Sequence, residues 1–231
     1  MRTKEGRIVL VTLFAVFLLP SIALAVDCTI ADTGQTNCYD NDSEITCPSP
    51  GEDFYGQDAQ YGPNLHSYTK LDENGNDLPD EATSWVMVRD KVTGLVWEMK
   101  QNKDDVPDYN NPHDADNTYK WHDAQDIFIG ALNSAQFGGY SDWRLPTVKE
   151  LASIIDRATY NPSINTTYFP NTQEFFYWSS TTYTGYPDIT WTVSFLNAYL
   201  GYVTKSGYNY MCGRFMEDKH RIALLIMETE L

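Results

Sequence analysis

The chain has no C-x-x-C pair, no H-E-x-x-H, no G-x-S-x-G and no P-loop. Those absences remove the spacings behind zinc ribbons, thioredoxin-like redox centres, zinc proteases, α/β-hydrolases and phosphate-cradling loops. Histidine is scarce: His66, His113, His122 and His220 are the whole set, and no two stand at a metal-ligand spacing. Basic residues are also few. Lys and Arg number 16 against 32 Asp and Glu, a formal net charge of −16. That balance repels nucleic acid and anionic membrane at long range, so neither is an expected partner. After the first 25 residues no apolar run is long enough to span a bilayer.

What is present begins with a leader. Arg2, Lys4 and Arg7 precede an apolar run from Ile8 to Leu19, and Ala23-Leu24-Ala25 has the small-x-small form of a cleavage site. Residues 1–25 therefore read as a secretory signal, with an uncleaved anchor as the alternative. The product is expected in the periplasm, at the cell surface or secreted, with no membrane span once the signal is gone. Asp27 before Cys28 excludes a lipoprotein site. The remainder fits one domain with an elaborated start. Residues 26–84 form a loop-rich, disulfide-linked arm, 85–216 the folded domain, and 217–231 an atypical tail holding the apolar run Ile222 to Met227.

Export makes disulfides the natural state of the four cysteines. Cys38 and Cys47 close a short loop, which leaves Cys28 to pair with Cys212. One local bridge beside two free thiols is the other arrangement.

The pattern predicts an α+β layout. A β-hairpin runs from Ser84 to Met99 around the turn Asp90 to Gly94. Residues 100–118 are polar loop. Trp121, Ala124, Phe128 and Ala131, with Ile127 and Leu132, follow a helical period, though Lys120 occupies the cap position. Thr147 and Glu150 form a capping box for a second helix, with Leu151, Ile154 and Ile155 as its apolar stripe, ending before Tyr160-Asn161-Pro162. Strands follow. Tyr177 to Thr182 is one. Next, Trp191, Val193 and Phe195 alternate with Thr190, Thr192 and Ser194 across two faces. Leu196 to Gly201 is read as a turn, Tyr202 to Thr204 as the return, and Tyr208 to Phe215 as the closing segment.

Five pieces occur in order over residues 85 to 215. They are Val92-Thr93-Gly94-Leu95-Val96-Trp97, Trp121-His122-Asp123-Ala124, Trp143-Arg144-Leu145-Pro146-Thr147, Tyr177-Trp178-Ser179-Ser180 and Trp191-Thr192-Val193-Ser194-Phe195. Together they resemble the Lcl C-terminal domain family, named for a Legionella collagen-like protein. The resemblance implies a C-type-lectin-like fold, two helices with a mostly antiparallel sheet and long loops, and exported modules that adhere or bind rather than catalyse. Tyr210 to Phe215 departs from the family's closing strand, and the tail from Glu217 has no counterpart in it. The Glu-Pro-Asn and Gln-Pro-Asp signatures of calcium-dependent sugar binding do not occur, so a lectin-like fold does not by itself establish a sugar ligand.

Candidate sites are weighed against plainer roles. Asp72, Asn74, Asn76, Asp77 and Asp80 place oxygen ligands around a tight turn, as a calcium loop does; Asp77 and Thr83 stand where an EF-hand has Gly and Glu. An acidic solvated turn is the alternative, and calcium is the only cofactor in view. Asp104, Asp105, Asp108, Asp114 and Asp116 lack fixed spacing and read as solvated loop. Trp143 reads as core, with Arg144 on a carboxylate or on carbonyls, and Ser179 and Ser180 as structural. The favoured ligand surface is Tyr183, Tyr186, Asn197, Tyr199, Tyr202 and Tyr208, because tyrosine with Asn and Ser makes an adaptable contact face. These rings paving the sheet is the competing role. The expected function is a non-catalytic binding or adhesion module for an extracellular glycan or surface protein. A structural envelope module, homo-oligomeric or not, is the alternative. A formylglycine-generating relative is a third class, which needs a cysteine pair near the C-terminal end where only Cys212 stands.

Overall fold

The computed structural model describes residues 30–62, 64–207, 211–212 and 216–217, the last two pairs as backbone alone. Residues 1–25, expected as a signal, Cys28, Tyr208 and the tail after Glu217 lie outside the described residues, as does the side chain of Cys212. The architecture is α+β.

Two short strands, β1 (Cys38–Tyr39) and β2 (Glu44–Ile45), pair antiparallel, and a disulfide joins Cys38 to Cys47. The bridge expected from loop length is therefore present.

β3 (Tyr68–Leu71), β4 (Met87–Asp90) and β5 (Leu95–Glu98) form an antiparallel sheet that β10 (Met216–Glu217) extends in the order β10-β5-β4-β3. The β4–β5 hairpin follows the sequence reading. Its turn is closed by the buried Asp90, whose carboxylate accepts from Val92 N at 2.8 Å and from the Thr93 hydroxyl at 2.6 Å. Gly94 has φ 73°, a conformation that costs glycine little. β3 was not foreseen: it lies in the stretch read as loop. Its pattern is masked by Lys70, a charge in a strand whose other buried members are Tyr68 and Leu71. Lys70 is itself buried. Its ammonium donates to Asp80 O at 2.8 Å and Ala82 O at 2.7 Å, and sits 4.0 Å over the Trp85 ring.

The second sheet holds β6 (Phe176–Thr182), β7 (Ile189–Ser194), β8 (Tyr199–Thr204) and β9 (Met211–Cys212), in the order β8-β7-β6-β9. Its pairs are antiparallel except β6 with β9, which is parallel. β8 starts three residues earlier than expected: Tyr199 to Gly201 are strand, opposite Ser194 to Thr192, not turn.

Successive strand residues feed two different cores. Val88, Leu95, Trp97, Tyr177 and Val193 join one, with Leu151, Ile155, Ile164 and Phe169. Met87, Val96 and Trp178 join the other, with Phe128, Leu132, Trp143 and Leu145. β4, β5 and the first half of β6 are thus covered on both faces, whereas the edge strand β8 is largely exposed. The expectation of a polar face on β7 is corrected: Thr190, Thr192 and Ser194 are all buried. The Thr190 hydroxyl contacts Thr181 O at 2.8 Å and Ser179 O at 3.1 Å, which lowers the cost of burying it.

Residues 121–134 form one helical run, α-helical at Trp121–Asp123 and Gly130–Ser134 with a π-helical stretch Ala124–Ile129 between. Lys120 gives no side-chain cap, as its chemistry requires. The buried stripe is Ala124, Phe128, Ile129 and Leu132; Ile127 and Ala131 are exposed. The second helix, Val148–Ala152, has the expected capping box. It ends well before Tyr160, so Ile154 and Ile155 are buried from the following turn rather than from the helix.

Candidate functional site

The family-like motifs fall on the scaffold, and their polar atoms are used there. Trp143 is buried; its indole donates to Phe137 O at 2.9 Å, and its backbone N and O are held by Asn133. Arg144 forks onto the two Glu150 oxygens at 2.9 and 3.0 Å, the same carboxylate that accepts from Thr147 N at 2.7 Å. Burial alone pushes the Glu150 carboxyl up. The Arg144 hydrogen bonds and the Thr147 amide outweigh it and hold the carboxyl below its ordinary value of 4.5. Ser180 donates to Pro146 O through both N (2.7 Å) and Oγ (3.1 Å), and Val148 N donates to Thr181 Oγ1 at 3.0 Å, so β6 is clasped to the capped helix. Trp121 and Trp178 donate to Ser179 O and Tyr119 O at 2.9 and 2.8 Å. Ser179 is buried, with its hydroxyl on Trp191 O at 2.7 Å.

Of the residues proposed for calcium, Asp72, Asn74 and Asn76 share one turn, while Asp77 and Asp80 turn to other partners. Asp72 accepts from Asn74 N and Asn76 N, both at 2.9 Å, and from Asn76 Nδ2 at 3.0 Å, so its oxygens face the turn's own donors. The side-chain hydrogen bond from Asn76, then its amide, holds the Asp72 carboxyl below the carboxylate range. Asp77 pairs with Arg89, and Asp80 accepts from the Tyr168 hydroxyl at 3.4 Å while its carbonyl meets Lys70. Arg89 and Lys70 thus bring two side-chain cations to this loop. Among the described residues no three His, Cys, Asp or Glu side chains converge as metal ligands.

A charged cluster was missed by the sequence reading. Glu98, with a side chain 2 % exposed, lies 2.9 Å from His113 Nδ1 and 3.8 Å from Lys100 Nζ. Lys100 also reaches Asp114 O at 3.3 Å, and Gln101 exchanges backbone hydrogen bonds with His113 and Ala115. This pins the acidic loop 100–118. Asp108, Asp114 and Asp116 there cap backbone amides of their own loop, and Asp116 also meets Gln173. Glu98 looks like an ordinary strand residue, and only the fold of the distant loop reveals its partner.

The expected tyrosines divide. Tyr183, Tyr186 and Tyr202 come together, and Trp191 joins them. Tyr183 stacks on Trp191 (centroids 5.2 Å, planes 28° apart) and packs at 5.0 Å from Tyr202 and 5.8 Å from Tyr186; Trp191 lies 6.0 Å from Tyr202. Register explains this: Trp191 is directly opposite Tyr202 in the β7–β8 ladder, so both side chains leave the same face. Tyr186 and Tyr202 are more than half exposed. The loop between β6 and β7 is fixed by Tyr183 N to Ile189 O, Tyr186 N to Tyr183 O and Ile189 N to Tyr186 O, at 2.9 to 3.0 Å, with Gly185 at φ 86° in its turn. Lys205 braces it from below, donating to Thr182 Oγ1 and Pro187 O at 2.9 Å, 4.1 Å from the Trp121 ring centre.

Tyr199 and Asn197 are not part of this group. Three residues from Tyr202, Tyr199 leaves the opposite face of β8, and its ring lies against Phe176 at 6.4 Å. It crosses Gly201, where a Cβ would fall 2.8 Å from the Tyr199 ring. Asn197 sits in the exposed turn at the other end of the β7–β8 hairpin. Tyr208 lies outside the described residues. The signal that could have found Trp191 was its register with Tyr202, hidden because Tyr199 to Gly201 read as turn.

A family model described as the Lcl C-terminal domain matches residues 86–213. No curated protein and no solved structure matches the chain. Among the described residues no helix is long and apolar enough to cross a membrane.

Proposed function

Because the chain belongs to the Lcl C-terminal domain family, we propose that it is an exported, non-catalytic binding module whose ligand is an uncharged extracellular glycan. Membership of that family supports an extracellular domain. The C-type-lectin-like reading of its scaffold rests on that same membership. The observation that carries the ligand class is the ring group Tyr183, Tyr186, Trp191 and Tyr202 on a rigid sheet end. Sugar rings present apolar C–H faces that stack on aromatic planes, and phenol hydroxyls at the rim offer hydrogen bonds.

Charge narrows the class. Between residues 175 and 207 the only charged side chains are Asp188 and Lys205, in a protein of net charge −16. Lys205 is engaged in bracing the loop. The segment that carries the rings therefore brings neither the cations that a sulfated or uronic glycan needs nor a strong anionic field. The test is a glycan and matrix-protein array probed with the chain lacking its leader, with and without calcium. Retention on neutral glycans that Tyr202→Ala weakens supports the reading. Retention on sulfated glycans alone, or on nothing, refutes it.

A second reading is a structural module of an envelope assembly. β8 favours it: its six residues, Tyr199 to Thr204, carry no charge and no proline, the usual guards of an edge strand. A solution mass of two or more copies, falling to one copy with Val203→Lys, would select it.

A further inference from the structure

We propose that the disulfide-closed arm is a second docking surface, for a basic protein segment rich in lysine or arginine. It is independent of the sheet face. Residues 30–62 carry seven acidic side chains and no lysine or arginine. The same segment exposes Tyr39, Phe54, Tyr55 and Tyr61, each between 42 and 59 % accessible. Rings laid over a surface of negative potential suit a cation: the potential draws it in and the ring faces hold it.

The rings are displayed by a built frame. The Cys38–Cys47 disulfide closes the first limb. Gln57 joins that limb to the second: its side chain accepts from Tyr39 N at 2.8 Å and donates to Tyr39 O at 2.7 Å and Phe54 O at 3.0 Å. Gln60 does the same one turn on, donating to Pro48 O at 2.6 Å and accepting from Gly56 N at 2.9 Å. The neighbouring Tyr55 phenol pushes the Tyr61 hydroxyl above its ordinary value. Gln57 thus holds the backbones of Tyr39 and Phe54 side by side, with Tyr55 next in the chain. Phe54 has φ 63°, a left-handed conformation rare for a bulky residue. Glycine would fit that backbone more easily, so an exposed phenylalanine there points to a use for its ring. The frame is fastened to the domain through Arg157 N to Thr33 O at 2.8 Å.

Any polycation is drawn weakly to an acidic protein, so the test must separate rings from charge. The probe is fluorescein-labelled hexalysine, titrated by anisotropy into the chain lacking its leader, with hexaglutamate as control. The variant Phe54→Gly/Tyr55→Ser/Tyr61→Ser removes three rings and keeps every carboxylate. The expected result is at least a tenfold weaker affinity in that variant, unchanged affinity in Tyr183→Ala/Tyr202→Ala, and weakening with added salt. Equal binding by the ring variant would overturn the proposal, since charge alone would then suffice. Absence of hexalysine binding, or an equal loss in the sheet variant, would also overturn it. Asp42→Asn/Asp53→Asn, with all rings kept, guards against a collapsed arm: it must also weaken binding, and no change there contradicts the proposal. The sheet-face reading stands or falls separately, because its probe is a neutral glycan.

Discussion

The arm and the second sheet both expose aromatic rings, and they hold them in opposite ways. In the sheet, Tyr183, Trp191 and Tyr202 are held by strand register and by packing on one another. In the arm, Tyr39, Phe54, Tyr55 and Tyr61 hang on a disulfide and two glutamine amides, with little core beneath them. The sheet end is almost uncharged, whereas the arm is acidic throughout. The lesson is that aromatic content alone does not specify a ligand. On the two proposals above, the charge around the rings is what separates a neutral-sugar surface from a cation surface. What holds the rings decides how each surface fails when perturbed.

The largest contrast is in stability. Trp178 is fully buried between the sheet and the long helix. Trp178→Ala is expected to cost about 3–5 kcal/mol, measured by denaturant unfolding, whereas Tyr55→Ala in the arm should stay within about 0.5 kcal/mol. Equal effects would break the distinction between packed and stapled regions.

Next comes the clasp under the sheet. Glu150→Gln removes the Arg144 fork and weakens the helix cap, an expected loss of about 1–2 kcal/mol. The pH sign follows from the lowered carboxyl. Its contribution is complete above the ordinary value of 4.5 and fades as pH falls through the lower folded value. Thermal melts of wild type and variant should therefore converge on acidification below pH 4.5. A gap that widens toward acid would contradict the Arg144–Glu150 assignment.

Smaller in stability but specific in binding, Tyr183→Ala/Tyr202→Ala should leave the melt within about 1 kcal/mol and weaken a neutral glycan at least tenfold, about 1.4 kcal/mol. The smallest global effect belongs to Cys38→Ser/Cys47→Ser. It should free the arm to proteolysis between residues 39 and 57 while the domain's unfolding midpoint barely moves, because local opening of a peripheral loop need not cross the core. A large fall in midpoint would mean the arm is part of the cooperative unit.

Much of the fold was legible because local chemistry dictated it. Thr147 with Glu150, the Asp90 to Gly94 turn and the alternation in β7 each announce an element within a few residues. β3 was illegible because Lys70 breaks its apolar pattern, and only the distant carbonyls of Asp80 and Ala82 make that burial tolerable. The buried hydroxyls of β7 were misread because alternation shows two faces but not that both are covered. Of the exposed ring group, tyrosine clustering in sequence pointed to Tyr183, Tyr186 and Tyr202. It also drew in Tyr199 and Asn197, because one residue of strand register decides which face a ring takes. The Asp72 loop looked like a cation site because the spacing of its oxygens does not show that Asp77 turns to Arg89 and that Asp72 accepts from its own turn.

The sheet-face claim is tested most directly by calorimetric titration of one neutral β-linked oligosaccharide and its sulfated form into the chain lacking its leader and into Tyr183→Ala/Tyr202→Ala. The account expects the neutral sugar to bind, the sulfated form to bind at least tenfold more weakly, and the double variant to lose the neutral sugar. Tighter binding of the sulfated form, or equal binding by the double variant, would contradict it.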